Sequence, residues 1–288
     1  MTFPSWFRPI ALTCLAMLAF AANSVLCRMA LGGDLIDPAS FTALRLASGV
    51  VFLFVVLGIR GRQNLAKPVW DLPAALALFA YAACFSFAYL QLSTGTGALI
   101  LFGCVQLGLV AAGLLQGERP GALAWTGMVL ASLGLVYLVS PGLDAPSPAA
   151  AALMALAGFS WAVYTLHGRG ASRPLVATAW NFLATLPAAV LLVLWYWPAA
   201  SWTATGAVLA VLSGALASGL GYVIWYAALR HHSAVSAALV QLSVPLLAAW
   251  GGLVFMSEAF TARLLLAAVA ILGGLALYFT SRPAKASD

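Results

Sequence analysis

The sequence predicts an all-α polytopic membrane protein: ten transmembrane helices forming two inverted five-helix repeats, with both termini cytoplasmic. Three observations carry that expectation. The 288-residue chain is 64% hydrophobic and only 7% charged, with mean hydropathy +1.03. A soluble domain needs about 25% charged residues to face water, so the solvent of this chain is the bilayer. Pro, Gly and charged residues divide the chain into ten apolar segments, each able to cross a ~30 Å hydrocarbon core at about 1.5 Å per helical residue. One pattern also occurs twice, about 140 residues apart. Residues 93–101 read STGTGALIL and lead through an apolar run to Glu118; residues 233–241 read SAVSAALVQ and lead in the same way to Glu258. A duplicated unit with an odd number of spans enters the membrane from opposite sides.

The segments are justified in turn. The first, 10–31, follows Arg8 and has the outline of a signal peptide, but nine comparable segments come after it, so it reads as a span containing Asn23. The second, 40–59, carries Arg45 in FTALRL, about one and a half turns from its first end. The third, 72–92, sets Tyr81, Phe85 and Tyr89 on one helical stripe. The fourth, 95–116, contains Gln106, and Glu118 opens the fifth, 121–140. DAPSP at 144–148 is the expected hinge, dividing the chain into units 1–143 and 144–288. The sixth segment, 149–167, shows Trp161 and Tyr164 on one face; the seventh, 175–196, holds Trp180, Asn181 and a central Pro187. In the eighth, 206–229, Ser218, Tyr222 and Tyr226 repeat the stripe of the third. Gly214, Ala217, Ser218 and Gly221 add small-residue spacing that lets helices approach closely. The ninth, 233–256, contains Gln241 and Pro245, and Glu258 opens the tenth, 262–281. Pro187 and Pro245 each remove a backbone hydrogen bond and permit a kink.

Charge placement orients the spans. With a cytoplasmic N-terminus, Arg8, Arg60, Arg62, Lys67, Arg119, Arg169, Arg173, Arg230, Arg282 and Lys285 fall inside, and only Arg28 and Arg263 fall outside. This is a positive-inside distribution. The repeat extends upstream, where Pro38 pairs with Pro174 and FTALRL with ATAWNF. Inversion then puts Glu118 at the cytoplasmic face and Glu258 at the outer face. Each is expected to cap the helix that follows it, since a carboxylate at a helix N-terminus gains about 0.3–1 kcal/mol.

Ionisable residues within spans are costly and usually functional. Arg45 has two readings here, an anion or carboxylate anchor, or an interfacial side chain that snorkels to the headgroups. No Asp or Glu lies deep in a span, which disfavours a dedicated carboxylate proton site and favours movement down a gradient. The polar and aromatic residues Asn23, Tyr81, Phe85, Tyr89, Gln106, Trp161, Tyr164, Trp180, Asn181, Tyr222, Tyr226 and Gln241 are the candidate substrate contacts; an aromatic, uncharged cavity suits an aromatic or amphipathic zwitterion. No catalytic motif is present, and neither a metal nor a cofactor is expected. The four cysteines form no C-x-x-C pair. The basic balance is a topology signal rather than a nucleic-acid surface, so the expected partners are the lipid bilayer and a small-molecule substrate.

The run SVPLLAAWGGLVFMSEAFT at 243–261, its first-half match VQLGLVAAGLLQGERPGALAWTGMVL at 105–130, and the arginine near FTALRL resemble the EamA-type transporters of the drug/metabolite transporter superfamily over essentially the whole chain. LSTGTGALILFG followed by VQLGL is most similar to the aromatic amino-acid exporter branch. Many relatives carry Pro in both halves at the position of Pro245, where the first half here has Val105. The resemblance implies alternating access around a cavity lined by spans one, three, four, six, eight and nine. It also implies export of small metabolites such as amino acids across the bacterial inner membrane. The alternatives are a broader drug/metabolite exporter or a membrane subunit without flux.

Overall fold

The computed structural model describes residues 7–61, 69–142, 145–168, 171–232 and 234–281. The hinge residue Asp144, the 143/144 boundary, Ser233 and the cations Arg62, Lys67, Arg169, Arg282 and Lys285 lie outside them. Among the described residues the chain is all-helical: α1 (Phe7–Gly32), α2 (Pro38–Ile59), α3 (Leu72–Ala88), α4 (Thr94–Leu115), α5 (Ala122–Val139), α6 (Pro148–Gly168) and α7 (Pro174–Tyr196). Then come α8 (Ala204–Leu212), a π-helical segment (Ser213–Leu220), α9 (Gly221–Leu229), α10 (Ala234–Gln241), α11 (Ser243–Met256) and α12 (Ala262–Thr280). Among the described residues, nine helical stretches are long and apolar enough to cross a membrane, and α3 is a shorter apolar helix of 17 residues. Val51, Leu191, Leu266 and Val269 are exposed, as a lipid-facing surface requires, and helices satisfy the backbone where lipid offers no partner.

The helix ends follow from specific side chains. Pro38 and Pro174 stand at the first position of α2 and α7, where a missing N–H costs nothing and the fixed φ suits a helix. Asp37 caps α2 by accepting from Ala39 N and Ser40 N, and its second oxygen accepts from Ser201 N at 3.1 Å. One carboxylate thus joins the α1–α2 loop to the α7–α8 loop. Helix α3 stops at Ala88, four residues before the expected end at Leu92. Just past that stop, Arg28 Nη1 donates to the Tyr89 and Leu90 carbonyls at 3.0 and 3.2 Å, meeting acceptors that a helix C-terminus leaves without intrahelical partners. Arg263 likewise donates to the Leu138 and Ser140 carbonyls at the end of α5. The two cations that charge counting leaves outside are both engaged at helix C-termini, where positive charge is favourable.

The two glutamates do not cap the helices that follow them. Thr261 caps α12 by accepting from Leu264 N, and α5 begins after Gly121 without a side-chain cap. The chain turns back instead. Gly117 and Ser257, each just before its glutamate, adopt positive φ of 87° and 54°. The Glu118 and Glu258 amides donate to the Gly113 and Gly252 carbonyls at 3.0 and 3.2 Å. Both carboxylates lie over those glycines, where a Cβ would strike an Oε2 atom. The first half meets the left-handed position with glycine; Ser257 meets it with a Cβ penalty of about 1–2 kcal/mol. Ser257→Gly is therefore expected to raise stability by about 0.5–1 kcal/mol after its own entropic cost, read as a higher unfolding midpoint of the purified protein in detergent.

Packing places α5 against α12 on one flank and α2 against α7 on the other. In the first pair, a Cβ on Gly127 would lie 2.5 Å from the Gly274 oxygen, and Gly134 abuts Ala270 and Ile271. The small residues bring the two backbones close in antiparallel register. Elsewhere the helices break. The ninth span is two helices separated at Leu242, because Pro245 has no N–H for the turn behind it. Helix α7 runs unbroken through Pro187. The eighth span widens to π geometry over Ser213–Leu220 where α2 crosses it. A Cβ at Gly214 would land on the Arg45 carbonyl oxygen and Ser48 Oγ.

Candidate functional site

Between the flanks, α1, α3, α4, α6, the π segment with α9, and α10 enclose a narrow central cavity of about 30 Å³. That volume holds a few waters and is too small for an amino acid. Its lining includes Asn23, Tyr81, Phe85, Trp161, Tyr222 and Gln241 from the sequence candidates, joined by Phe20, Ser24, Phe102 and Ser218. The aromatic residues come together because each sits on the inward stripe of its own helix. Trp161 is the hub: its ring centroid lies 4.8 Å from that of Tyr81, 5.4 Å from Tyr164 and 5.3 Å from Tyr222, stacked on the last at 28°. Phe85 continues the row to Tyr81 and Tyr89 at 5.4 and 4.8 Å.

A polar network backs this wall. Tyr81 Oη accepts from Asn23 Nδ2 at 3.2 Å and from Arg45 Nη2 at 3.0 Å. Ser213 Oγ, at the start of the π segment, donates to Asn23 Oδ1 at 2.7 Å. Arg45 is 2% exposed, so its guanidinium does not snorkel to an interface. It lies over the Tyr81 and Phe85 rings at 5.1 and 5.0 Å, a cation–π arrangement. Nη1 has no hydrogen-bond partner among the described residues.

Tyr89, Gln106, Tyr164, Trp180, Asn181 and Tyr226 do not line the cavity. Tyr164 Oη donates to Thr178 Oγ1 at 3.5 Å, and Thr178 Oγ1 donates to Tyr226 Oη at 3.3 Å, with Asn181 buried on the same helix as Thr178. Tyr89 is buried and donates to the Thr94 carbonyl. Gln106 is fully buried, with neither amide atom paired among the described residues. Trp180 lies apart from the cavity, against Phe54 and Trp70. Gln241 donates to the Ala237 carbonyl in the last turn of α10.

Two further residues form an ion pair near the C-terminal end of α1. Arg28 Nε donates to Glu258 Oε1 at 3.2 Å, and Glu258 Oε2 accepts from Thr94 N at 2.8 Å. One carboxylate therefore caps α4 and ties α1 to the α11–α12 turn. At the far end of α1, Thr13 Oγ1 and His232 Nε2 lie 2.7 Å apart. Sequence reasoning placed Arg28 and Glu258 on one face but did not pair them, because 230 residues separate them. Chemically, the cavity offers aromatic faces, hydroxyls and amides, with the Arg45 guanidinium behind the Tyr81 and Phe85 rings. Such a lining can hold an organic molecule with an apolar body and a polar or anionic end.

Comparisons with known proteins agree with this architecture. Residues 7–140 and 148–280 each match the EamA-like transporter family. An uncharacterized protein of Pseudomonas aeruginosa is 50% identical over 97% of both chains. The threonine/homoserine exporter RhtA of Salmonella typhimurium is 30% identical, covering 93% of this chain and 90% of its own. A solved crystal structure, 21% identical, superposes with a TM-score of 0.65 over 92% of this chain and 97% of that one and shares its fold.

Proposed function

Since the chain belongs to the EamA-like transporter family, we infer that it exports neutral amino acids or closely related metabolites across the bacterial inner membrane. Ten spans in two inverted repeats of five, with both termini cytoplasmic, alternate access around the central cavity. The observation that carries the reading is the row of rings Tyr81, Trp161 and Tyr222 around a cavity that no carboxylate among the described residues lines. Rings bind an apolar or aromatic side chain by stacking, while Asn23, Ser218 and Gln241 supply polar contacts at its edge. The likeness to a threonine/homoserine exporter supports an amino-acid substrate.

With the positive-inside orientation proposed here, the Arg28–Glu258 tie would face outward and the Thr13–His232 contact the cytoplasm. Outward opening then requires Glu258 to leave Thr94 N and Arg28, and substrate must part Trp161 from its neighbours. No step needs a carboxylate proton carrier inside the cavity. Counterflow in proteoliposomes of the purified chain tests the reading, using phenylalanine, tyrosine, tryptophan, threonine and homoserine. Saturable exchange of at least one is expected, and none above empty liposomes would sink the assignment.

A further inference from the structure

We propose that Arg45 is the carboxylate anchor of the site, so that the transporter selects substrates by an anionic carboxylate end and discriminates against the matching amides and amines. The proposal rests on the exporter reading above and specifies what that site recognises. A cation in a membrane interior is costly unless it is paired. Among the described residues, Arg45 forms no ion pair; the titratable groups that face it are Tyr81, Tyr222 and Cys27, none of them a carboxylate. The carboxylates that flank the site are already engaged: Asp37 on α2 and the α7–α8 loop, and Glu258 on Arg28 and α4.

What Arg45 does contact belongs to the cavity wall. Nη2 donates to the hydroxyl of Tyr81, and the guanidinium carbon lies over the rings of Tyr81 and Phe85. Nη1 is buried and has no acceptor among the described residues. A guanidinium presents its donors as a planar fork that matches the two oxygens of a carboxylate. With Nη2 held by one neutral acceptor that can rotate away, and Nη1 unpaired, the fork is poised for such a ligand. Asn23 also donates to Tyr81 Oη, so when Arg45 turns to a carboxylate the hydroxyl keeps a partner. The ring wall next to the cation takes the ligand's apolar body, placing both ends of one small carboxylate within a single site.

The test uses the full chain in proteoliposomes, with counterflow of labelled phenylalanine and competition by phenylalanine, 3-phenylpropionate, phenylalaninamide and phenethylamine. In the wild type the two carboxylates are expected to compete roughly 10- to 100-fold better than the amide and the amine. Arg45→Gln and Arg45→Met are expected to erase that preference, and Arg45→Lys to keep part of it, since charge remains but the fork is lost. If the variants fail to fold, thermal stabilisation of wild-type protein by the same four compounds reads the selectivity without them. Equal potency of acid and amide on the wild type, or a preference that survives in Arg45→Gln, overturns the anchor while leaving a working carrier. No counterflow of any probe removes the exporter reading and the anchor with it.

Discussion

Glu258→Ala is expected to open the Arg28 end of the cavity. The change removes an acceptor from Thr94 N and the counter-charge from Arg28, both partly buried. A charge-assisted bond at a helix N-terminus and an ion pair of limited exposure together stabilise the closed arrangement by about 3 kcal/mol. Because every 1.4 kcal/mol is tenfold, closure should weaken roughly a hundredfold. The measurement is the rate at which a membrane-impermeant thiol reagent labels a cysteine at Ser24, on the cavity wall, in protein freed of its four native cysteines. Glu258→Gln keeps an oxygen for Thr94 N and loses only the ion pair, so its rate should fall between the two. Equal labelling of wild type and Glu258→Ala would show that the tie does not hold the cavity shut.

The second large effect is on folding. Gly214→Ala is expected to destabilise the protein by about 3 kcal/mol, the upper range for overpacking. The new methyl group would meet the backbone oxygen of Arg45 and the hydroxyl of Ser48, and neither is the far end of a flexible side chain. The affected contact joins α2 to the π segment, whose Ser213 supports Asn23, so loss of the cavity network should accompany loss of stability. Gly273→Ala in α12 is the control, since nothing lies within 4 Å of its would-be Cβ. There a gain of about 0.5–1 kcal/mol is expected from helix propensity. Thermal unfolding of both variants in detergent separates a packing effect from a general intolerance of alanine.

Features governed by local spacing were legible in the sequence. Apolar run length marked the spans, Pro38 and Pro174 marked two helix starts, and the i, i+4 recurrence of Tyr81 and Phe85 marked an inward stripe. What was not legible depends on partners far away in the chain. Small residues at 214–221 signalled close approach, but the π geometry appears only where α2 crosses the helix. Position alone left Arg45 with two readings, because depth along a helix does not say which neighbours cover it; the α3 rings do. Glu258 looked like a cap for the next helix because the dipole rule acts locally. Its actual partner, Thr94 N, is 164 residues earlier, and the left-handed turn at Ser257 aims the carboxylate away from α12.

That turn has a consequence for the working cycle. In a carrier built from two identical inverted halves, exchanging the halves converts the outward-open form into the inward-open form, so the two forms would have equal free energy. Here the halves differ where each turns back on itself. Ser257 holds positive φ where Gly117 holds it without a Cβ, and α11 starts behind a break at Leu242 while α4 runs continuously through Val105. If the two forms interconvert as proposed, each mismatch would weigh on one form more than on the other. A difference of about 1.4 kcal/mol shifts the equilibrium between them tenfold. On the alternating-access proposal, these small departures from symmetry would bias the direction the empty carrier faces at rest.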